Sequence, residues 1–446
     1  MLTLPAPTRT RPALHVTAPG RLEAPAGSLI TPHLWHLMYQ YVPQAAPAGT
    51  SCWGHSCSPW GADSAATPHA PFTWTHCADA LTPVAPEDTV LAGSVVSDGT
   101  HIYLYYTAVC RGMSSIHRAI LTESGIHRCG KVVGNRRNYQ DFRSPCVITD
   151  TSGWLMLALV GPITSPTPVV LRSFDADSWD VLGPLRFHGS TGLEGFDQLV
   201  SPRIVLMRDT ESGQLQHVLL LTVLAGDVEV CGYLVGTLTE ATFTVRTPFT
   251  RIDYGHDFSR PRCTNSHPLE PLLGDTTVIF GYLPAAGPEW TGCLSIPREV
   301  RLSGGTLYQT PYSGLIEQVE DSLTAQVWTG LFDFGPPNPG EPSPSVRVSI
   351  CGPDKQPRVH ITHAGDHIRL RRFVSSDDAD AQLDAIAPLP ASDSRTLTVL
   401  ADGPIVEVFA DSGAAVLTSC IDTSTQDCHF SIRTCGDVTI ESVLHE

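Results

Sequence analysis

Ser144-Pro-Cys-Val-Ile-Thr-Asp-Thr-Ser-Gly-Trp-Leu-Met-Leu-Ala-Leu-Val160 holds two apolar runs, Ser144–Ile148 and Trp154–Val160, split by a polar segment ending in glycine, and a third run, Val169–Phe174, follows. Short runs rich in β-branched and aromatic residues, bounded by Gly, Pro, Asp and Asn, read as strands. The pattern recurs upstream at Leu34–Tyr41, Ser94–Val96 and His101–Thr107, and downstream at Val200–Leu206, His217–Leu224, Val230–Gly236 and Thr277–Leu283. Helical 3.6-residue stripes are nearly absent. Strands arriving every 8 to 15 residues or so point to a sandwich, barrel or propeller. The first three hundred residues carry too many strands for one sandwich. Radial repetition of small antiparallel sheets accommodates them, because each blade buries its faces on its neighbours and leaves only short edges.

From about residue 300 the texture changes. Leu307–Val319 is the one stretch that suits a short helix or linker. A second strand series then runs through Val327–Phe332, Val346–Ile350, Val359–Thr362, Ile368–Arg372, Thr396–Leu400, Ile405–Phe409, Ala415–Ser419, Phe430–Arg433 and Val438–Ser442. The expected fold is all-β, a β-propeller over residues 1–305 and a β-sandwich over 306–446. Gly335–Pro344, with five prolines in ten residues, is expected as a rigid loop inside the second domain.

Composition narrows the function. Apolar residues make up 42% of the 446 and charged residues 16%, which excludes disorder. Acidic residues outnumber basic ones 45 to 28, a formal charge of −17 that opposes a grip on nucleic acid or an anionic membrane. A small neutral carbohydrate suits this field better. The N-terminal twenty residues lack an apolar signal core and are broken by Pro5, Pro7 and Pro12, so a cytoplasmic protein is expected. The longest apolar stretches, Trp154–Ile163 and Val218–Ala225, reach about half a membrane span. The 13 cysteines are then expected as thiols, and a homo- or hetero-oligomer is left open. No phosphate loop, dinucleotide fingerprint, nucleophile elbow or zinc-protease helix occurs, and no cofactor is expected. Cys52, His55, Cys57, His76 and Cys77 have chemistry suited to zinc but lack paired two-residue separations. They are read as small buried cysteines and pocket or surface histidines, with no metal.

Several segments, in order, match the blocks of one family. Trp35-His36-Leu37-Met38-Tyr39-Gln40-Tyr41-Val42-Pro43 is similar to its strand Tyr-His-Leu-Phe-Tyr-Gln-Tyr-Asn-Pro, and Trp53-Gly54-His55-Ser56-Cys57-Ser58 to its Trp-Gly-His-Ala-x-Ser turn. Trp74-Thr75-His76 with Ala80-Leu81-Thr82-Pro83, Gly93-Ser94, Asp253-Tyr254-Gly255-His256-Asp257-Phe258 with Pro261, and Trp290 through Glu299 follow in family order. Val406-Glu407-Val408-Phe409-Ala410-Asp411-Ser412-Gly413 and Val416-Leu417-Thr418-Ser419 are similar to its closing strands. This ordered set resembles glycoside hydrolase family 32, the β-fructofuranosidase, invertase and levanase family. The resemblance implies a five-bladed propeller backed by a sandwich, acting on β-fructosides.

It also implies three carboxylates, and all three are missing. Retaining hydrolysis needs two carboxyl groups about 5 to 5.5 Å apart, a nucleophile and an acid, and this family adds a third that stabilises the transition state. The Trp-Met-Asn-Asp-Pro-Asn-Gly motif corresponds to Arg21-Leu22-Glu23-Ala24-Pro25-Ala26-Gly27, so Ala24 stands at the nucleophile position. Arg-Asp-Pro corresponds to Arg143-Ser144-Pro145, and Glu-Cys-Pro to Val200-Ser201-Pro202, leaving Ser144 and Val200 for the stabiliser and acid. Neither alanine nor valine can attack or deliver a proton. Glu23, Asp141, Glu194 and Asp197 are the candidate substitutes. In an extended strand, Glu23, Asp141 and Asp197 sit at odd offsets from the lost positions and face away unless a bulge intervenes. Gln40, Trp53, His55, Arg143 and Tyr282 stand where the resemblance places sugar-contacting residues or their neighbours. Three readings follow: a fructoside-binding protein with little or no hydrolysis, a β-fructofuranosidase using substitute carboxylates, and a protein-interaction scaffold.

Overall fold

The apolar runs pair as antiparallel meanders, and the chain winds them into five blades. The computed structural model describes residues 11–47, 49–60, 72–150, 153–265, 276–322, 324–336, 342–373, 382–391, 395–421 and 428–445. Blade one comprises Gly20–Ile30, Leu34–Pro43, Cys52–Pro59 and Thr75–His76; blade two comprises Thr89–Ser97, Ile102–Cys110, Met113–Thr122 and Gly125–Val133. Blade three is Arg143–Asp150, Gly153–Val160, Thr167–Ser173 and Asp180–Pro184, and blade four is Gln198–Arg208, Leu215–Ala225, Val228–Thr239 and Thr242–Arg251, edged by Arg186–His188. Blade five is Ser259–Asn265, Thr276–Gly287, Arg298–Ser303 and Thr306–Pro311.

The ring closes through parallel pairing of Ser28 with Thr264 and Leu29 with Asn265, reinforced by Trp290–Leu294, which joins both end blades. Separate apolar cores fill the spaces between blades. One packs Trp53, Met38 and Ala24 of blade one on Leu104, Val95 and Tyr106 of blade two.

The stretch Leu307–Val319 divides in two. Thr306–Pro311 pairs with Arg298–Ser303 as the outer strand of blade five, and the helix is Leu315–Glu320. We therefore place the domain division, set at 305/306 from the sequence, after Pro311. Beyond it, two five-stranded sheets, one ordered from Ala415–Cys420 through Ile405–Ala410, Arg395–Asp402 and Ala325–Phe334 to Val438–His445, form a β-sandwich. Its core contains Trp328, Phe332, Val348, Ile350 and Leu417. Residues 1–10, and much of Gly335–Pro344, lie outside the described residues. No helix among the described residues is long and apolar enough to cross a membrane.

A buried ionic cluster fastens sandwich to propeller. Arg298 donates to Asp253 at 2.9 Å and to Glu407 at 2.8 Å. His15 places one ring nitrogen 2.7 Å from Asp402 and the other 2.9 Å from Glu407. Two cations thus face three carboxylates, none of them exposed. Beside them Gly255 lies so close to the sandwich that a Cβ would sit 2.1 Å from the Thr418 carbonyl oxygen, and no larger residue fits without a shift.

Candidate functional site at the propeller mouth

The first strand of each blade carries a pairing irregularity. Register shifts fall between Leu22 and Ala24, Leu91 and Ser94, Arg143 and Cys146, Leu199 and Ser201, and Ser259 and Arg262. Bulges re-aim side chains and are over-represented at barrel rims and beside functional sites. Ala24, Ser144 and Val200 sit at three of them. Ala24 thus lies on the inner strand of blade one, Ser144 on that of blade three and Val200 on that of blade four.

The substitutes are dispersed. Glu23 is the extra residue of the first bulge, so the condition under which it would not face away is met. Its carboxylate accepts hydrogen bonds from Gln40 at 2.6 Å and Ser51 at 2.9 Å, and pairs with Arg21 at 2.8 Å. Asp141 and Asp197 precede their strands, so strand alternation does not orient them. Asp141 accepts weakly from the Ser114 N–H at 3.3 Å, and Asp197 accepts from the Gly226 N–H at 2.8 Å, closing a hairpin turn. Glu194 is exposed, 3.4 Å from the Thr191 hydroxyl.

The expected sugar-contacting residues divide between rim and interior. Gln40 is half-buried at the mouth; besides donating to Glu23 it accepts from the Ala92 N–H at 2.6 Å. Arg143 donates to the carbonyls of Asp141, Gly161 and Pro162. Tyr282 is half-buried, with the Arg260 guanidinium 5.9 Å from its ring centre; burial raises its phenol and Arg260 opposes that rise. Trp53 has no exposed surface and donates its indole N–H to the Leu91 carbonyl at 3.0 Å, which fixes it as packing between blades. His55 is buried lower in blade one, against His36 and Cys57.

Sequence reasoning missed the arginines of the mouth. Arg203, four per cent exposed, donates to the Ser144 carbonyl at 2.9 Å and the Ser144 hydroxyl at 2.8 Å. No carboxylate contacts it among the described residues, and burial lowers its pKa to about 10. A guanidinium this basic stays charged at neutral pH and cannot serve as the acid. Its signal was present: it is the lone charge inside the apolar run Val200–Leu206. Arg260 bridges blades, donating to the Glu23 carbonyl at 3.2 Å and the Glu229 carboxylate at 2.7 Å. Below the rim, Gly27, Gly93, Val147, Arg203 and Arg262 enclose an axial cavity of about 20 Å³, room for about one water. Gly93 is required there, since a Cβ would lie 1.8 Å from the Tyr105 carbonyl oxygen.

Comparison with known proteins agrees with this architecture. The family model for the glycosyl hydrolases family 32 N-terminal domain matches residues 15–311, and that for the family 32 C terminal matches 346–444. Sucrose-6-phosphate hydrolase of Escherichia coli is 21% identical over 96% of this chain and 93% of its own length, and raffinose invertase of the same organism is 23% identical over 92% and 88%. Among solved structures, sucrose-6-phosphate hydrolase from Lactobacillus gasseri superposes with a TM-score of 0.78 at 17% identity, covering 97% of this chain and 92% of that one. Exo-inulinase from Aspergillus awamori gives 0.77 at 18% identity, covering 97% of each. With both of its domains matched, the chain belongs to glycosyl hydrolase family 32.

Proposed function

We propose that this protein is a non-hydrolysing family 32 member that recognises a β-fructoside at the propeller mouth, in a reducing compartment such as the cytoplasm. What supports this reading is the content of the three positions that the family resemblance assigns to catalysis: Ala24, Ser144 and Val200 supply neither nucleophile, stabiliser nor acid. In a serine hydrolase, loss of one member of a catalytic unit lowers turnover by roughly 10⁴ to 10⁶. Here the loss extends to every member, and the Ser144 hydroxyl accepts a hydrogen bond from the Arg203 guanidinium. The half-buried rim of Gln40, Glu23, Arg260, Glu229 and Tyr282 retains what sugar recognition uses: an amide, carboxylates, a guanidinium and an aromatic face. The matched sucrose-6-phosphate hydrolases and exo-inulinase make sucrose, sucrose 6-phosphate and short inulin the ligands to try.

Calorimetric titration of the full chain with each sugar tests the recognition half. Saturable heat that is lost in Tyr282→Ala, with the variant's melting temperature preserved, is expected. Absence of heat with all three sugars would retire sugar recognition and leave the scaffold reading. A second reading has one observation in its favour, the bulge that makes Glu23 the extra residue. If Glu23 were a nucleophile, free fructose would form and Glu23→Gln would abolish it.

A further inference from the structure

Far from the mouth, blade one gathers four metal-ligand side chains that the sugar site does not use. His36 lies on the second strand, His55 and Cys57 on the third, and their registers place all three on one face. His36 Nδ1 and His55 Nε2 are 3.1 Å apart; Cys57 Sγ is 3.1 Å from His55 Nε2 and 3.5 Å from His36 Nδ1. Cys77, just after the edge strand Thr75–His76, donates its backbone N–H to the His55 carbonyl at 2.9 Å, which fixes it beside this group. Its Sγ is 3.4 Å from Cys57 Sγ. Tetrahedral zinc, with bonds of about 2.0–2.1 Å to nitrogen and 2.3 Å to sulfur, separates its ligands by roughly 3.3 Å between nitrogens, 3.6 Å between nitrogen and sulfur, and 3.8 Å between sulfurs.

We infer that His36, His55, Cys57 and Cys77 form a two-histidine, two-cysteine site for a divalent zinc ion that ties the edge of blade one to its inner strands. The two ring nitrogens and the Cys57 sulfur already converge as around one point, and His36 and His55 are each only eight per cent exposed; the Cys77 thiol, exposed and 3.4 Å from the Cys57 sulfur, lies outside that trio and becomes the fourth ligand by turning its side chain inward. A soft, mixed nitrogen and sulfur set in this geometry selects zinc over calcium or magnesium. Sequence spacing hid the site, because it draws on a neighbouring strand. Of the five residues that spacing grouped, Cys52 packs on the opposite face of the sheet with Tyr39 and Tyr41, and His76 turns to Tyr39 and Ser56. His36 enters only because its strand pairs Cys57 opposite it. His36 also pairs with Leu29, five residues beyond Ala24 and so roughly 17 Å along the strand from the mouth. The role assigned is structural and independent of any sugar chemistry.

The test uses the full chain, reduced and stripped of metal, titrated with cobalt(II) and then zinc(II). One equivalent of cobalt should produce thiolate-to-cobalt charge transfer with tetrahedral visible bands, and zinc should displace it. Cys57→Ser should weaken binding by at least about ten- to hundredfold, the loss seen even for outer-shell partners, while the exposed control Cys129→Ser leaves it unchanged. Folded wild type without a thiolate–cobalt band would overturn the inference, and this needs no variant. So would an undiminished band in Cys57→Ser, or a Cys57–Cys77 disulfide whose reduction yields no cobalt binding.

Discussion

Raising the pH should loosen the fastening between propeller and sandwich, and His15 sets the size of the effect. Both ring nitrogens face carboxylates, Asp402 at 2.7 Å and Glu407 at 2.9 Å, so each carries a proton and the ring is cationic. Burial opposes that charge, but the hydrogen bonds and charges of Asp402 and Glu407 overcome it and raise His15 from 6.5 to about 9. A group whose folded pKa lies above its unfolded value contributes its full stabilisation below the unfolded pKa and loses it as pH rises through the folded one. The window is therefore about pH 6.5 to 9. At about 1.4 kcal/mol per unit, the contribution is roughly 3 kcal/mol. Urea unfolding of wild type and His15→Gln, followed by tryptophan fluorescence across that window, isolates it: wild type should lose roughly 3 kcal/mol more than the variant between its ends. Parallel curves for the two proteins would refute a protonated His15.

Removing the other cation, Arg298→Met, leaves Asp253 buried without its cation and Glu407 with His15 alone, and should cost about 3–5 kcal/mol, read as a lower melting temperature. Gly255→Ala drives a methyl group into the Thr418 backbone and should cost about 1–3 kcal/mol, with the loss visible in the same melts. Trp53→Ala should destabilise by about 3–5 kcal/mol, because the ring is core; sugar affinity of the fraction that remains folded should be unchanged in calorimetry.

The strand-forming runs were legible because burial on alternate faces writes itself into short apolar segments. Trp154–Val160 and His217–Leu224 are strands over their whole length. The outer strands of blade two, Met113–Thr122 and Gly125–Val133, were not legible: they mix His, Arg and Lys with apolar residues because they face water on one side. Gly20–Ile30 escaped as well, since Pro25, Gly27 and its bulges break the strand signature where the chain serves the mouth. The three lost positions could be located from the resemblance alone. What occupies their surroundings was not legible. Arg203 reaches Ser144 across 59 residues, and Arg260 reaches Glu23 across 237, contacts that only the closed ring creates.

Absence of family 32 hydrolysis is checked by chromatographic detection of free fructose. Purified wild type and Glu23→Gln would be incubated at length with sucrose, sucrose 6-phosphate and short inulin. No fructose above the no-protein blank is expected from either, with folding verified by their melts. Fructose released by wild type and abolished in Glu23→Gln would contradict the account and make the carboxylate beside Ala24 a working nucleophile.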